Sequence, residues 1–520
     1  MPSTTPVRRS RNSRSRRSAA SVRRSTSRAG TRSSKRAIAR RPTRKGNSRT
    51  AARRGNGAAG ASRVKLKVLN TGAGAGPKIR VTPPGPKAQA LIKRDAKVMS
   101  PYNRPFYYPA VIESAKGCIV SDIDGNRFID LNSGLGVMNV GHRHPRVIKA
   151  IRDQLNRLQH YSYTDFNYRY AVELAEKLVQ ITPGKFRKKV YLGGSGAESI
   201  EAALKLTRWH TRKPNFIAFL RSFHGRTMGA LSLTASAAVQ KQRFSPTMPG
   251  VQHVPYAYCF RCPFKLEYPS CDLWCVDYIE EEVLNHAVPA DEVAALFVEP
   301  IQGEGGYIVP PPDYHKRLKK MCERHGILYV ADEVQSGMGR TGRWFAIDHY
   351  GVQPDAVCMS KGIASGVSLG AVIGKAELFD WEAGSHCTTL GGSPVACQAS
   401  LATMSIIEDE KLMQNARKQG DYILKRLRSE QRRSRTIGDV RGKGLMCGIE
   451  IVKDRESKEA DGKAAKRIIT RCWKRGLLAI TAGDSTVRIA PPLTITRDLV
   501  DRSLDIILQS IEDEEKGKPL

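Results

Sequence analysis

Two charged side chains lie close together in one stretch, 326–366, and raise a chemical question. Asp332 follows the apolar run ILYVA, and Lys361 follows AVCMS. Each run, 327–331 and 355–359, is too short for a helix and is bounded by turn formers, which predicts two buried strands. In a parallel sheet, residues just past the strand ends line the crevice where ligands sit. An acid and a lysine delivered to one crevice suit pyridoxal phosphate chemistry. The lysine forms a Schiff base with the cofactor aldehyde, and the acid keeps the pyridine nitrogen protonated. For these two residues taken alone, a turn-capping aspartate and a solvated loop lysine are the better account.

Other loops supply further groups. GGSGAES, 193–199, joins a strand to a helix through small residues, so its backbone amides form an anion site that a phosphate can approach closely. It lacks a Walker lysine, which argues against a P-loop. SFHGRT, 222–227, follows the strand NFIAFL and offers Phe223 for stacking on a flat ring, with His224 beside it; a core phenylalanine and a turn histidine fit as well. VEPIQGEGGY, 298–307, places Glu299 at a strand end and Glu304 in a glycine-rich loop, where plain surface acids are the alternative.

The elements that must position these groups alternate along the chain. AVELAEKLVQI, AESIEAALKLTRWHT and DYHKRLKKMCERHG read as helices; KKVYLGG, NFIAFL, AALFVEP, ILYVADE and AVCMSK read as strands. This is the pattern of a mostly parallel sheet covered by helices, an α/β fold. Upstream, CIVSDIDGNRFIDL predicts a hairpin turning at Asp124 and Gly125. HPRVIKAIRDQLNRL predicts an amphipathic helix with Val147, Ile148, Ile151, Leu155 and Leu158 on one side. After Pro394 a helical run extends through Leu427, and two strand segments with flanking helices then form a smaller α/β unit.

Composition divides the chain unevenly. The 520 residues carry a formal net charge of +37, yet residues 1–94 hold 27 Lys and Arg and no acid, while the remainder holds 59 basic and 49 acidic residues. Residues 1–62 have almost no large apolar side chains, which predicts a disordered basic tail. A nucleic-acid or other polyanion-binding arm, an organelle transit peptide and a solvated extension all fit it. Residues 63–100, rich in Gly and Pro, read as a linker and extended arm, with folded structure beginning near Pro101. The expected division is then 101–160 for the N-terminal part of a small domain, 161–400 for a large domain and 401–520 for the C-terminal part of the small one. No apolar run is long enough to span a bilayer, so no membrane association is expected. The 11 cysteines do not pattern as a disulfide framework and favour a reducing, cytoplasmic setting. Cys259, Cys262, Cys271 and Cys275 have a spacing that a structural zinc could use, but reduced thiols or an interface role fit as well, and no metal is expected.

In order and at plausible intervals, GGSGAE, SFHGRT, VEPIQGEGG, ADEVQSGMGRTG, MSKG and TTLGGSPVAC resemble the class III aminotransferases, the pyridoxal-phosphate family that includes 4-aminobutyrate, ornithine and acetylornithine aminotransferases. The resemblance covers roughly residues 101–515 and is strongest to archaeal and bacterial 4-aminobutyrate aminotransferases, some of whose close relatives are amino-acid racemases. It implies a fold type I homodimer, with a mostly parallel seven-stranded sheet in the large domain and the active site at the subunit interface. It implies Lys361 as the Schiff-base lysine and proton shuttle, and Asp332 as partner of the pyridine nitrogen. Val334 and Phe223 would sandwich the ring and Gln335 would bond its hydroxyl. Ser195, Gly196 and Ala197 would hold the phosphate, with Thr389 contributed across the dimer; His224 and Glu299 complete the expected cofactor set. Arg488 would bind the α-carboxylate of an amino acid, Glu304 would gate it, Arg226 would form a second carboxylate clamp, and Leu135 would shape the pocket. The implied reaction moves an amino group from an ω-amino acid such as 4-aminobutyrate to 2-oxoglutarate. Ornithine-type aminotransfer or racemisation is the alternative on the same scaffold. The sequence departs from the family pattern at Ala197, where some members have Thr, and at Ser393, where Asn is usual.

Overall fold

Apolar runs of four to six residues, separated by helices, do form a central sheet. The computed structural model describes residues 76–100 and 107–520, and fifteen strands are found there. In chain order they are β1 (Ile112–Lys116), β2 (Ile119–Asp122), β3 (Arg127–Asp130), β4 (Lys188–Gly193), β5 (Asn215–Phe219), β6 (Val251–Val254), β7 (Val293–Val298) and β8 (Leu328–Asp332). The rest are β9 (Ala356–Met359), β10 (Gly370–Lys375), β11 (Ile437–Lys443), β12 (Met446–Ile451), β13 (Leu477–Leu478), β14 (Thr481–Ala482) and β15 (Thr486–Ile489).

Seven strands make one sheet in the order β4-β10-β9-β8-β7-β5-β6. All run parallel except β10, which is antiparallel to both β9 and β4. Every residue of β7 and β9 is buried, as expected for central strands covered on both faces. The expected strands match β4, β5, β7, β8 and β9; β6 and β10 complete the sheet. Two four-stranded sheets flank it, β1-β2-β3-β13 and β11-β12-β15-β14. The first joins N- and C-terminal segments, because β13 pairs in parallel with β3. The hairpin forms as expected, with β2 antiparallel to β3 about Asp124 and Gly125. Among the described residues no helix is long and apolar enough to cross a membrane.

Three expectations need correction. The stretch 63–100 is not wholly an extended arm: Pro86–Val98 is a helix. Proline at its first turn has no amide to leave unpaired. Distant Asp124 then accepts from the amides of Lys87 (2.9 Å) and Ala88 (3.0 Å), doing the work of an N-cap. Second, the run from Pro394 is two helices, Pro394–Asp409 and Leu412–Gln431, broken where Lys411 takes a left-handed φ of 53°. Third, the helix Pro145–Leu155 buries Val147 and Gln154 and leaves Ile148 and Leu155 exposed, so its apolar stripe is only partly used within one chain. The expected start of folded structure near Pro101 moves upstream with that helix, since Lys78 already pairs with Arg127; the basic tail 1–62 lies outside the described residues.

Because Asp124 caps one helix from another element, Asp124→Ala is expected to lower stability by about 1 kcal/mol. Urea unfolding checks this, and protection of the 86–98 amides from hydrogen exchange should fall most.

Candidate functional site

The parallel arrangement brings five loops to one edge of the sheet. Ser195–Ala197 follow β4, Phe223 and His224 follow β5, Glu299 follows β7, Asp332 ends β8, and Lys361 lies two residues past β9. Asp332 pairs in register with Cys358, which sets the Asp332 and Lys361 segments side by side.

Asp332 is buried, and both its oxygens are engaged. Oδ2 lies 2.7 Å from His224 Nδ1, and Oδ1 accepts from the Val334 amide at 3.0 Å. The role of His224 is therefore to hold the acid; its Nε2 is buried without a partner. Glu299 is also buried, and its oxygens accept from the amides of Phe223 (2.9 Å) and Gly303 (2.8 Å). It fixes the loops that carry Phe223 and Glu304. Burial pushes its carboxyl up to about 7.

Close approaches gather the next group. A Cβ on Gly196 would come 3.0 Å from Val334 Cγ1, and one on Gly225 would come 3.0 Å from the Cβ of Ala197. The Phe223 loop and Val334 thus both abut the start of the helix Gly196–Thr211. The Ser195 hydroxyl accepts from the Glu198 amide at 3.2 Å, while the amides of Gly196 and Ala197, in the first turn, have no helical acceptor. A Cβ on Gly303 would strike the Gln335 amide at 2.6 Å.

Lys361 is half-buried and takes a left-handed φ of 44°. Burial lowers the pKa of its amine; Glu304, Asp332 and Glu299 oppose that shift and Arg488 adds to it. Those four charges are its electrostatic neighbours, so the convergence expected from scattered motifs is real. Arg488, in the buried strand β15, places both terminal nitrogens 3.4 Å from Glu304 Oε1. The contact is long for a charge-assisted bond, and Arg488 Nε has no partner. Tyr307 lies beneath the guanidinium, 5.7 Å from ring centroid to carbon.

Leu135 is 53% exposed and belongs to a turn with four consecutive positive φ values, 48° at Ser133, 58° at Gly134, 69° at Leu135 and 78° at Gly136. The Gly136 and Val137 amides donate to the Asn132 and Ser133 carbonyls, closing one turn of left-handed helix. Arg226 is exposed, with its guanidinium 5.7 Å from the Phe223 ring. Thr389 is exposed on a turn and is not gathered with the others in a single chain. The four cysteines of the insert are free thiols. Burial raises Cys259 to about 11 and Cys275 to about 12, and among the described residues no group of three or more His, Cys, Asp or Glu is placed to hold a metal. Two residues escaped sequence reasoning: Tyr107, whose neighbour is Arg488, and Arg340, in the quoted SGMGRTG segment.

The chain is similar to known proteins over most of its length. The family model described as aminotransferase class-III matches residues 99–511. An alanine/serine racemase of Pyrococcus horikoshii is 42% identical over 448 residues, 85% of this chain and 94% of the relative. A 4-aminobutyrate aminotransferase of Mycobacterium tuberculosis is 38% identical, covering 83% of this chain and 97% of its own length. Among solved structures, a Bacillus anthracis aminotransferase superposes with a TM-score of 0.77 at 31% identity, over 82% of this chain and 98% of that one.

The site also predicts a pH dependence of stability. Glu333, next to Asp332, is buried, with its oxygens accepting from the Ser336 hydroxyl (2.5 Å) and the Ile347 amide (2.7 Å). Burial pushes its carboxyl up from 4.5 to about 7. In that window the folded chain keeps a proton on Glu333 that the unfolded chain releases, so the contribution of Glu333 to stability falls as pH rises from about 4.5 to 7, against the opposite contribution of His253, His315 and His349, which burial holds down at about 4. Glu299 acts with the same sign. Glu333→Gln keeps both hydrogen bonds, with the amide donating to Ser336, and its thermal midpoint relative to wild type should rise as pH goes from about 4.5 to 7.

Proposed function

Because this chain belongs to the class III aminotransferase family and uses pyridoxal phosphate, we propose that it moves an amino group from an ω-amino acid resembling 4-aminobutyrate to 2-oxoglutarate. The observation that carries this reading is the long Glu304–Arg488 pair, a masked carboxylate receptor poised to open.

The residues present fit the cofactor. Two free amides at a helix start suit a phosphate, a buried carboxylate held by His224 suits a pyridinium nitrogen, and a lysine whose pKa desolvation lowers suits an amine that must lose its proton. When bound, pyridoxal phosphate supplies an aldehyde that condenses with amines and a ring that withdraws electrons from the adjoining carbon. Ser195, Gly196 and Ala197 would hold the phosphate, Phe223 and Val334 would flank the ring, and Gln335 would bond its hydroxyl. Asp332 would keep the ring nitrogen protonated. Lys361, released as a neutral amine, would carry the proton from the donor carbon to the cofactor and back. Arg488 and Arg226 would each grip a carboxylate with a planar fork. Glu304 covers Arg488 while an ω-amino acid binds and moves aside for 2-oxoglutarate, so one pocket serves both substrates. Leu135 would limit the space left for the substrate chain.

We further infer a homodimer in which the partner subunit's Thr389 completes the phosphate site. Exposed Leu390 beside Thr389, together with exposed Ile148, Leu155 and Phe166, supports an apolar surface between subunits. Free thiols throughout suit the cytoplasm.

A second reading is favoured by the Pyrococcus racemase, similar over most of both chains. In racemisation the proton leaves one face of Cα and returns to the other, and no amino group is transferred. Holoenzyme given 4-aminobutyrate and 2-oxoglutarate should form glutamate only when both are present. Conversion of L-alanine to D-alanine without any oxo acid, and no glutamate from 4-aminobutyrate, would establish the racemase instead. Lys361→Ala should lower turnover at least about a hundredfold while leaving cofactor bound; turnover retained in that variant would assign the proton transfer to another group.

A further inference from the structure

We propose that Arg340 is a positioning residue that locks the substrate-binding half of the site onto the cofactor-binding half. The inference rests on the carboxylate-clamp reading above and goes beyond it. Arg340 lies eight residues past Asp332 in the same connection, is only 1% exposed and is the largest fully buried side chain described. Its bonds end on three segments: 133–139, the turn before β12 and the residues after β15. One terminal nitrogen donates to the carbonyls of Leu445 (3.1 Å) and Pro491. The other donates to Asn139 Oδ1 at 2.7 Å and to the Ser133 hydroxyl at 3.4 Å.

These partners lead directly to the residues assigned to chemistry. Ser133 opens the left-handed turn that carries Leu135, and its hydroxyl donates to the Ala490 carbonyl at 2.6 Å. Ala490 and Pro491 follow β15, the strand of Arg488. Asn139 donates to the Met338 carbonyl at 2.8 Å, and its amide packs so tightly on Gly362 that a Cβ there would come within 2.5 Å. Gly362 is the residue after Lys361. One guanidinium therefore touches the Asp332 connection, the Lys361 segment by way of Asn139, the Leu135 turn and the end of the Arg488 strand.

All four acceptors are neutral; Asp130, the acid whose charge reaches Arg340, gives its oxygens instead to the Asn132 and Ser133 amides and to His142. A buried cation bonded only to neutral groups is an expensive way to fill space; an apolar side chain would contribute as much to folding. What the fork supplies, and a lysine cannot, is simultaneous bonding in fixed directions to two sides of a seam. Slippage of Arg488 relative to Lys361 by even part of an ångström would misplace a gripped carboxylate with respect to the proton shuttle.

The test compares wild-type and Arg340→Lys holoenzymes on two donors: 4-aminobutyrate, and propylamine, which is the same amine without the carboxylate. The rate at which each donor bleaches the visible band of the lysine-linked cofactor is measured, together with the Kd of glutarate by calorimetry. The expected result is a fall of about tenfold in the 4-aminobutyrate to propylamine rate ratio and a weaker glutarate Kd by a similar factor, with the band position unchanged. An equal fall for both donors, or unchanged glutarate binding, would overturn the proposal. Should Arg340→Lys not fold, Ser133→Ala removes only the hydroxyl between Arg340 and Ala490; the ratio should still fall by about threefold, and an unchanged ratio would overturn the proposal. Wild-type enzyme that neither binds glutarate nor reacts with 4-aminobutyrate would refute the donor assignment rather than the positioning role. The same ratio is then taken with L-alanine against ethylamine, where the same fall is expected and an unchanged ratio overturns the role of Arg340.

Discussion

Asp332 has no free oxygen facing its own fold: one is taken by His224 and the other by the Val334 amide. A buried carboxylate survives only if it is bonded and faces positive charge; here His224 and the Val334 amide supply the bonds, and in the proposed mechanism the cofactor's ring nitrogen would supply the charge. The remaining site follows from that commitment. His224 must arrive from β5, so β5 must be parallel to β8 and open at the same edge. Glu299, on the strand between them, ties the Phe223 amide and the glycine-rich loop of Glu304 into register. The charges around Lys361 are thus fixed by strand order, not by any local motif.

The backbone carries part of the cost. Lys361 is a non-glycine residue at φ 44°, and Ser133 and Leu135 sit at 48° and 69°. Each such conformation costs about 1–2 kcal/mol and persists only where neighbours over-determine it. Around Lys361 those neighbours include Asn139 against Gly362; around Ser133 they are Arg340 and the Ala490 carbonyl. The strained points coincide with the positions assigned to proton transfer and to the pocket wall, while the strands that present them are unstrained and fully packed.

Much of this was legible in the chain and some was not, for identifiable reasons. β7, β8 and β9 announce themselves as short apolar runs because they are buried on both faces, and residues past their ends are where an open α/β sheet places its ligands. β6 has only four residues, and β10 carries a glycine near each end, so neither stands out. The helix Pro86–Val98 was hidden because its cap comes from Asp124, more than thirty residues away. His224 is visible as a residue but its partner, 108 positions on, is not. Arg340 reads as one more basic side chain in a glycine-rich turn; only the fold reveals that its four acceptors come from three segments far apart in sequence. Thr389 and the exposed apolar side chains of the helix Pro145–Leu155 make no sense within one chain, whichever way it is read.

The left-handed turn at Ser133–Gly136 has a consequence for how this pocket can change over time. An ordinary pocket wall is varied by exchanging side chains of different bulk, one small step at a time. In the proposed pocket the wall at Leu135 would be a backbone of reversed hand, two of whose four residues are glycine. Leu135 can be exchanged freely only among residues that tolerate its φ of 69°. Replacement of either glycine would instead tend to flip the whole turn, because every other residue type prefers the opposite hand. The substrate range of this lineage would then be expected to shift in jumps, by reversal of one turn, and not by gradual enlargement of a cavity.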